Sequence, residues 1–375
     1  MTACRSCGST DLTTFLSLGD MPLADGLLRQ EDLNKPEGRY PLDVALCGEC
    51  ALVQILETVP PEVLFCQDYP YYSSFADALL RHSEANANRL IESRKLGPES
   101  LVVELASNDG YLLQYFAKQN VPVLGIDPAE GPARAAEETG SPTLCDFFGK
   151  SLAEKLRDEG KQADVILANN VLAHVADLNG FVAGIATLLK QDGQAVIEAP
   201  YLGDLIEHCE FDTIYHEHLC YYSVTALCEL FRRHGMSLNH VEHYPIHGGS
   251  LRLFVGKSVD VQASVTGYLE DEQRKKMNSL EFYRGFASRV EGIKTRLGSL
   301  LRQLKSEGKT IAAYGAAAKG TIMINYAGIG PETLDFVVDR NVHKHGQCMP
   351  GLHVPIVDAA LLTEEMPDYC LLLAW

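Results

Sequence analysis

Val102-Val103-Glu104-Leu105-Ala106-Ser107-Asn108-Asp109-Gly110 runs from apolar residues into a short polar turn, and Tyr111-Leu112-Leu113-Gln114-Tyr115-Phe116 continues in a helix-like pattern. The reading is a buried strand, a tight turn and a helix start. In an open α/β sheet a ligand sits where a strand's carboxyl end meets the next helix, because free backbone N–H groups and the helix dipole converge there. The next apolar run, residues 121–126, ends in Asp127, an acid placed to accept hydrogen bonds from a ribose diol. Gly110 and Asp127 together suggest an adenosyl ligand.

Working outward, helix-like and strand-like runs alternate: helices at 132–139, 151–159 and 178–189, and strands at 142–146, 163–170 and 194–200. That alternation specifies a parallel sheet flanked by helices. A dinucleotide site would require G-x-G-x-x-G after the first strand, whereas this turn carries one glycine. A ligand without phosphates does not need so close a backbone approach, which favours S-adenosylmethionine over NAD. Candidate cofactor-binding residues fall at the strand ends and the turns that follow: Glu104, Ala106, Asn108, Gly110, Asp127, Pro128, Asp146, Phe147 and Asn169. Each acid taken singly could equally be a solvated loop residue or a helix cap.

The chain has 375 residues, 46% hydrophobic and 22% charged, with a formal net charge of −18. The length allows two or three domains. The negative charge argues against nonspecific nucleic-acid binding, so an anionic substrate needs a local cluster of donors. No apolar run reaches the ~20 residues of a membrane span and no signal pattern opens the chain, so a cytoplasmic protein without a membrane partner is expected.

Eleven cysteines in such a chain point to thiols or metal ligands rather than disulfides. Cys4-Arg5-Ser6-Cys7 is answered by Cys47-Gly48-Glu49-Cys50, with 39 residues between the pairs (8–46). Two Cys-x-x-Cys knuckles complete a tetrahedral, solvent-closed Zn²⁺ site of the structural kind. Cys66, Cys145, Cys209, Cys220, Cys228, Cys348 and Cys370 show no paired spacing, and most are expected to be small buried hydrophobes.

Residues 211–223 hold Tyr215-His216-Glu217-His218 and then Tyr221-Tyr222, a concentration of groups able to take, give or orient protons. Metalloprotease spacing is absent, since His216 and His218 are two apart rather than four. The bland alternative is a set of structural histidines in a polar loop. Residues 68–74, DYPYYSS, place three tyrosines around a proline before a helical run at 76–93; they suit either a pocket wall or an aromatic hinge.

In the last third, residues 262–304 are helical in pattern and link two lobes. Residues 310–320 then repeat the strand, small-residue turn and helix start. Lys319 precedes Gly320, so this is not a P-loop. A helix start with Lys319, and with Arg340 and Lys344 adding charge, could receive a pyrophosphate; a packing lobe with small residues is the plainer alternative. Residues 371–375 read as a buried strand, as if the lobe continued beyond them.

Together, the paired knuckles, Tyr69-Pro70-Tyr71, residues 104–110, 169–174 and 215–218, His247-Gly248-Gly249 and residues 314–319 resemble the S-adenosylmethionine-dependent sugar C-methyltransferases that act on nucleotide-linked deoxysugars. The resemblance covers nearly the whole chain. It implies a three-part α/β protein: a zinc domain (1–70), a class I methyltransferase-like, Rossmann-like domain (71–256), and a helical linker with a C-terminal Rossmann-like lobe (257–375). It implies His218 as base, with Glu217, Tyr215, Tyr71 and His174 in the same site; His216 receives no role. His247, Lys319, Tyr222 and Arg340 are the candidate substrate contacts. The implied cofactors are S-adenosyl-L-methionine and structural Zn²⁺. The implied partner is a nucleotide-sugar in deoxysugar and antibiotic biosynthesis, with the chain a monomer or small homo-oligomer.

A sugar C–H is acidic only beside a carbonyl, so the expected substrate is a 4-keto sugar, probed by a histidine of near-neutral pKa. Methylation of a sugar oxygen or a non-sugar carbon acid, and a zinc-stabilised binding protein without catalysis, are the competing readings.

Overall fold

The computed structural model describes residues 2–65 and 72–375, and the elements below are those of the described residues. In the N-terminal part, β1 (Leu12–Pro22), β2 (Leu28–Arg29), β3 (Arg39–Cys47) and β4 (Val53–Ile55) follow in order. β1 pairs antiparallel with β3 and β3 with β4, so that Cys47 closes one strand and Cys50 lies in the turn to the next. Leu16, Leu18, Leu42, Val44 and Ile55 supply its buried face.

The central part carries β5 (Val102–Leu105), β6 (Val123–Ile126), β7 (Thr143–Leu144), β8 (Ala163–Asn169), β9 (Leu189–Pro200), β10 (Cys220–Tyr221), β11 (Ser237–Tyr244) and β12 (Ser250–Gly256). Its sheet runs β11-β12-β9-β8-β5-β6-β7. The pairs from β9 to β7 are parallel, and β12 lies antiparallel between β9 and β11. This is the class I methyltransferase order. β5 is buried along its length, as a parallel strand covered on both faces must be, and it carries Glu104 into the interior among Val102, Val103 and Leu105. Strand order reverses between β5 and β8, so the crevice at their carboxyl ends is the place a ligand occupies.

On one face, Arg252 of β12 stands opposite Glu198 of β9, and both are 3% exposed. The Arg252 guanidinium donates to Glu198 at 2.5 Å, and His82 of the helix Asp77–Arg94 contacts the same carboxylate at 2.9 Å. The Arg252 and His82 contacts hold the Glu198 carboxyl below its ordinary range even though burial opposes them. This network fastens that helix, whose N-terminal flank crosses the crevice, to the sheet.

The C-terminal lobe carries β13 (Ile311–Tyr314), β14 (Phe336–Asp339), β15 (Gln347–Cys348), β16 (Ile356–Asp358) and β17 (Tyr369–Leu372). Its sheet, β16-β14-β13-β17, is parallel throughout, as a Rossmann-like lobe requires. The linker is three helices, Ala263–Lys275, Leu280–Tyr283 and Phe286–Ser306, not one continuous run. Left-handed residues at Lys276 and Gly285 break it.

The three parts are not beads on a string. β10 of the central part joins the N-terminal sheet beside β4, and β2 pairs with β15 of the C-terminal lobe. Phe15 of β1 stacks on Tyr283 of the linker at 4.5 Å.

β17 pairs with β13 on one side and exposes Leu372 at 67%. One sequence expectation needs correction. Of the unpaired cysteines, Cys220 and Cys348 are buried, Cys209 and Cys228 half-buried, and Cys145 and Cys370 exposed; Cys66 lies outside the described residues. The strands of the N-terminal sheet, together with β10, β11 and β12, were not legible in the pattern. No helix among the described residues is long and apolar enough to cross a membrane.

Candidate active site

A cleft of about 760 Å³ opens at the carboxyl ends of β5 and β8 and is lined by residues of all three parts. On the cofactor side, the turn after β5 bends tightly. Ala106, Asn108 and Gly110 take φ of 55°, 49° and 77°, the left-handed region that glycine enters freely and other residues at a cost. What holds Asn108 there is Asp127: its Oδ2 accepts from the Asn108 N–H at 2.8 Å, while its Oδ1 accepts from the Ala129 N–H at 2.8 Å. Asp127 therefore ties the turn of one strand to the end of the next and keeps further lone pairs for a ligand hydroxyl.

The same turn anchors the segment that crosses it. Asn108 Oδ1 accepts from the Ser73 N–H at 2.8 Å and Asp109 Oδ2 from the Ser74 N–H at 3.1 Å. Glu104 lies fully buried beneath the turn. Burial and the neighbouring Asp127 and Asp109 push its carboxyl well above the usual range, with a Tyr111 hydrogen bond acting the other way.

The cleft wall takes in Ala106, Asn108, Asp127, Pro128, Phe147 and Asn169 of the expected cofactor set. Gly110, Glu104 and Asp146 do not line it. Gly110 closes the turn, where an added Cβ would meet the Ser141 hydroxyl at 3.0 Å. Asp146 is exposed and caps the Phe147 N–H at 2.8 Å.

The opposite wall is the 215–221 segment. His218 Nδ1 lies 2.8 Å from the Thr213 carbonyl, an acceptor only, so Nδ1 carries the proton. The lone pair is left on Nε2, which accepts from the Tyr215 hydroxyl at 3.1 Å while the two rings stack at 4.0 Å. His174 meets the His218 ring edge-on at 4.7 Å. Burial lowers the His218 pKa to about 4, partly offset by the Thr213 bond, and lowers that of His174 to about 3. The near-neutral histidine expected from the sequence is thus a weaker base that stays neutral at physiological pH.

Glu217 is 5% exposed, and burial followed by the nearby Asp25 raises its pKa to about 8. His216 points the other way: fully buried, it donates from Nε2 to the Pro41 carbonyl at 3.2 Å and meets the Tyr40 ring edge-on. Its place is in docking the segment on the N-terminal sheet.

Tyr215, Glu217, His218 and His174 all line the cleft, while Tyr71 lies outside the described residues. Of the expected substrate contacts, His247 and Lys319 line it. Lys319 Nζ donates to the Trp375 carbonyl at 2.5 Å and lies over its ring. Tyr222 and Arg340 are not there. Tyr222 is 1% exposed with its hydroxyl donating to the Leu172 carbonyl at 2.8 Å, because the β10 backbone turns it into the core. Arg340 is exposed outside the cleft; Lys344, one turn on, lines it instead. Asp25, which no local pattern marks, enters from the N-terminal part.

Away from the cleft, the sulfurs of Cys4, Cys7, Cys47 and Cys50 all lie within 4.8 Å of one another, with Cys4–Cys50 and Cys7–Cys47 at 3.5 Å. A tetrahedral Zn–S₄ centre, with bonds of about 2.3 Å, needs sulfurs about 3.8 Å apart, so the set fits the ion. Four thiolates leave no open position for chemistry, so the ion would hold the fold and no more.

Three family models match successive stretches of the chain. Residues 4–65 match a zinc binding domain, residues 75–241 a methyltransferase domain, and residues 245–375 a C-methyltransferase C-terminal domain. The chain is 34% identical to the C-methyltransferase NovU of Streptomyces niveus over 99% of its own length and 89% of the relative's. A shorter match, 33% identical over 24% of this chain and 38% of the other, is to the ubiquinone biosynthesis O-methyltransferase of Bartonella quintana (strain Toulouse). Among solved structures, the magnesium protoporphyrin IX methyltransferase of Synechocystis PCC 6803 with bound SAM overlaps 48% of this chain and 79% of its own at 14% identity and a TM-score of 0.38. Strand order, not that overlap, assigns the fold.

Proposed function

We propose, from the premise that this chain belongs to the zinc-binding, S-adenosylmethionine-dependent C-methyltransferase family, that its acceptor is a nucleotide-linked, dTDP-type 4-keto-deoxysugar methylated at the carbon beside the ketone. The observation that carries the reading is the His218 tautomer: Nδ1–H is spent on the Thr213 carbonyl, so a neutral Nε2 faces the same cleft as the β5 turn. A neutral imidazole nitrogen beside a cofactor turn is what removal of a carbon-bound proton requires.

Bound on the Ala106–Asp127 side, S-adenosylmethionine supplies an electrophilic methyl whose leaving group is already in place. The chain's own residues do the remainder. His218 Nε2 takes the proton from the carbon once the Tyr215 hydroxyl turns off its single lone pair, stacking by Tyr215 fixes the ring, and the apolar Phe147, Phe148 and Val175 exclude water from the enolate. Lys319 and His247, at the C-terminal end of the cleft, supply the donors that a pyrophosphate needs in a chain of net charge −18.

The test is incubation of the full chain with methyl-labelled S-adenosylmethionine and a panel of nucleotide-linked 4-keto sugars. The methyl position is located by NMR, and loss of the α-proton is followed in deuterated water. Label on oxygen, or transfer without α-proton loss, would overturn the reading.

A further inference from the structure

The first Cys-x-x-Cys knuckle is gripped from outside its own domain. Its two inner residues are Arg5 and Ser6. Asn179, near the start of the helix Leu178–Leu188 in the central part, donates from Nδ2 to both of their carbonyls, at 2.8 and 3.1 Å. Carbonyls only accept, so the amide nitrogen must face them. The amide oxygen is taken from the other side, where Asn179 Oδ1 accepts from His234 Nε2 at 2.9 Å. Beside His234, Arg233 ends the helix Val224–Arg233 and donates to the Ser6 hydroxyl at 2.7 Å, with Ser6 4% exposed. The second knuckle, by contrast, is held from within its own domain. The Gly48 N–H donates to the Asp11 carbonyl at 3.0 Å and the Cys47 N–H to the Leu52 carbonyl at 2.9 Å.

What Asn179 grips is the frame of the metal site. The Arg5 and Ser6 carbonyls belong to two of the three peptide planes between Cys4 and Cys7, and each plane is rigid. Holding both carbonyls fixes both planes, and with them the separation and direction of the two cysteines. The four sulfurs lie within 4.8 Å of one another. Thiolates that close repel, so the backbone beneath them must be held if the site is to keep its shape. Contacts behind a metal's own ligands set how tightly the metal is bound. Nothing in the Cys-x-x-Cys spacing asks for this one, which comes from 174 residues along the chain from Arg5.

We propose that Asn179, supplied by the methyltransferase part, is a positioning residue of the zinc site, and that Arg233 supports it through Ser6. Zinc is then held at full strength only while the N-terminal part is docked on the central one. By linkage, the metal strengthens that docking by the same factor by which docking strengthens the metal. His174 to Asp177, just ahead of Asn179, line the cleft, so the docked knuckle lies against the helix into which that stretch of the wall leads. The role does not depend on which acceptor the cleft takes.

The experiment measures the zinc affinity of the full chain in competition with a chelator of known strength. The proteins compared are wild type, Asn179→Ala, Asn179→Asp, Arg233→Ala and a control, Asn88→Ala. Asn179→Asp keeps the size of the side chain and the acceptor for His234 but has no N–H for the two carbonyls. Asn88 makes the same kind of amide contact on the surface of the helix Asp77–Arg94, accepting from Gln119 Nε2 at 2.7 Å.

Both Asn179 variants are expected to weaken zinc binding by about 10- to 100-fold and Arg233→Ala by about 3- to 10-fold. Asn88→Ala should leave it unchanged, and calorimetric affinity for S-adenosylmethionine should stay within about threefold of wild type throughout. Zinc affinity within about twofold of wild type in both Asn179 variants would overturn the proposal, as would an equal weakening in Asn88→Ala. If loss of cofactor binding shows that the Asn179 variants do not fold, Arg233→Ala decides alone, and an unchanged zinc affinity there overturns the role of the central part.

Discussion

The two walls of the cleft are built on different plans. The cofactor wall belongs to one domain: Ala106, Asn108, Asp127 and Asn169 sit at successive strand ends, and Asp127 binds the turn of β5 to the end of β6 by two backbone hydrogen bonds. The acceptor wall is assembled from three. His218 and Glu217 come from a segment pinned by β10 to the N-terminal sheet, Asp25 comes from that sheet's own loop, and Lys319 and Lys344 come from the C-terminal lobe. A common methyl donor needs the same wall whatever the acceptor, whereas acceptor recognition can change by altering which domains close over it.

The sharpest way to break that contrast is to remove the metal. Chelation should release the Cys4–Cys50 cluster, and with it the β3–β4 hairpin on which β10 leans. Structural zinc is worth about 10 kcal/mol or more to such a domain, so methyl transfer should fall to background. Calorimetric affinity for S-adenosylmethionine should stay within about tenfold, because the strand-end wall is independent. Equal loss of both would show that the walls are one unit.

His218→Asn keeps a donor for the Thr213 carbonyl and removes the base. Methyl transfer and α-proton exchange should both drop by about 10²- to 10⁴-fold with cofactor binding intact. Asp127→Ala is the reciprocal experiment. It removes charge-assisted hydrogen bonds worth about 1.5–3 kcal/mol each, so cofactor affinity should weaken by about 10- to 100-fold. Proton exchange measured without cofactor should hardly change.

The pH profile probes the acceptor wall alone. His218 works when neutral, so exchange should rise as pH passes about 4. The smallest expected effect is Ala106→Gly. Relief of a left-handed alanine, worth about 1–2 kcal/mol, is offset by the added freedom of the unfolded chain, worth up to about 1 kcal/mol. A gain in thermal stability of about 1 kcal/mol or less should result, read by denaturant titration.

The strand-end turn was legible because it is local. A strand, a turn and the next strand's acid follow one another in sequence, so the turn after β5 and Asp127 could be placed without knowing what packs above them, whereas the exclusion of Glu104 and Gly110 from the cleft wall could not. The four-cysteine cluster was legible for a similar reason, since two Cys-x-x-Cys pairs carry their own geometry. The 215–218 segment could be picked out by its density of proton-handling groups, but not sorted. Tertiary packing decided that His216 turns toward Pro41, that His218 faces the cleft with a fixed tautomer, and that Tyr222 is spent in the core.

The sequence by itself determined the parallel strands β5 to β9, the strand-end turn and the zinc knuckles, because each follows from periodicity and short-range spacing. Only the tertiary structure decided that Asp25, 192 residues away from Glu217, meets it in one cleft, and that Lys344 rather than Arg340 lines that cleft. Burial and the charge of a distant neighbour set the protonation of Glu217 and His218, and neither is a property of the local sequence.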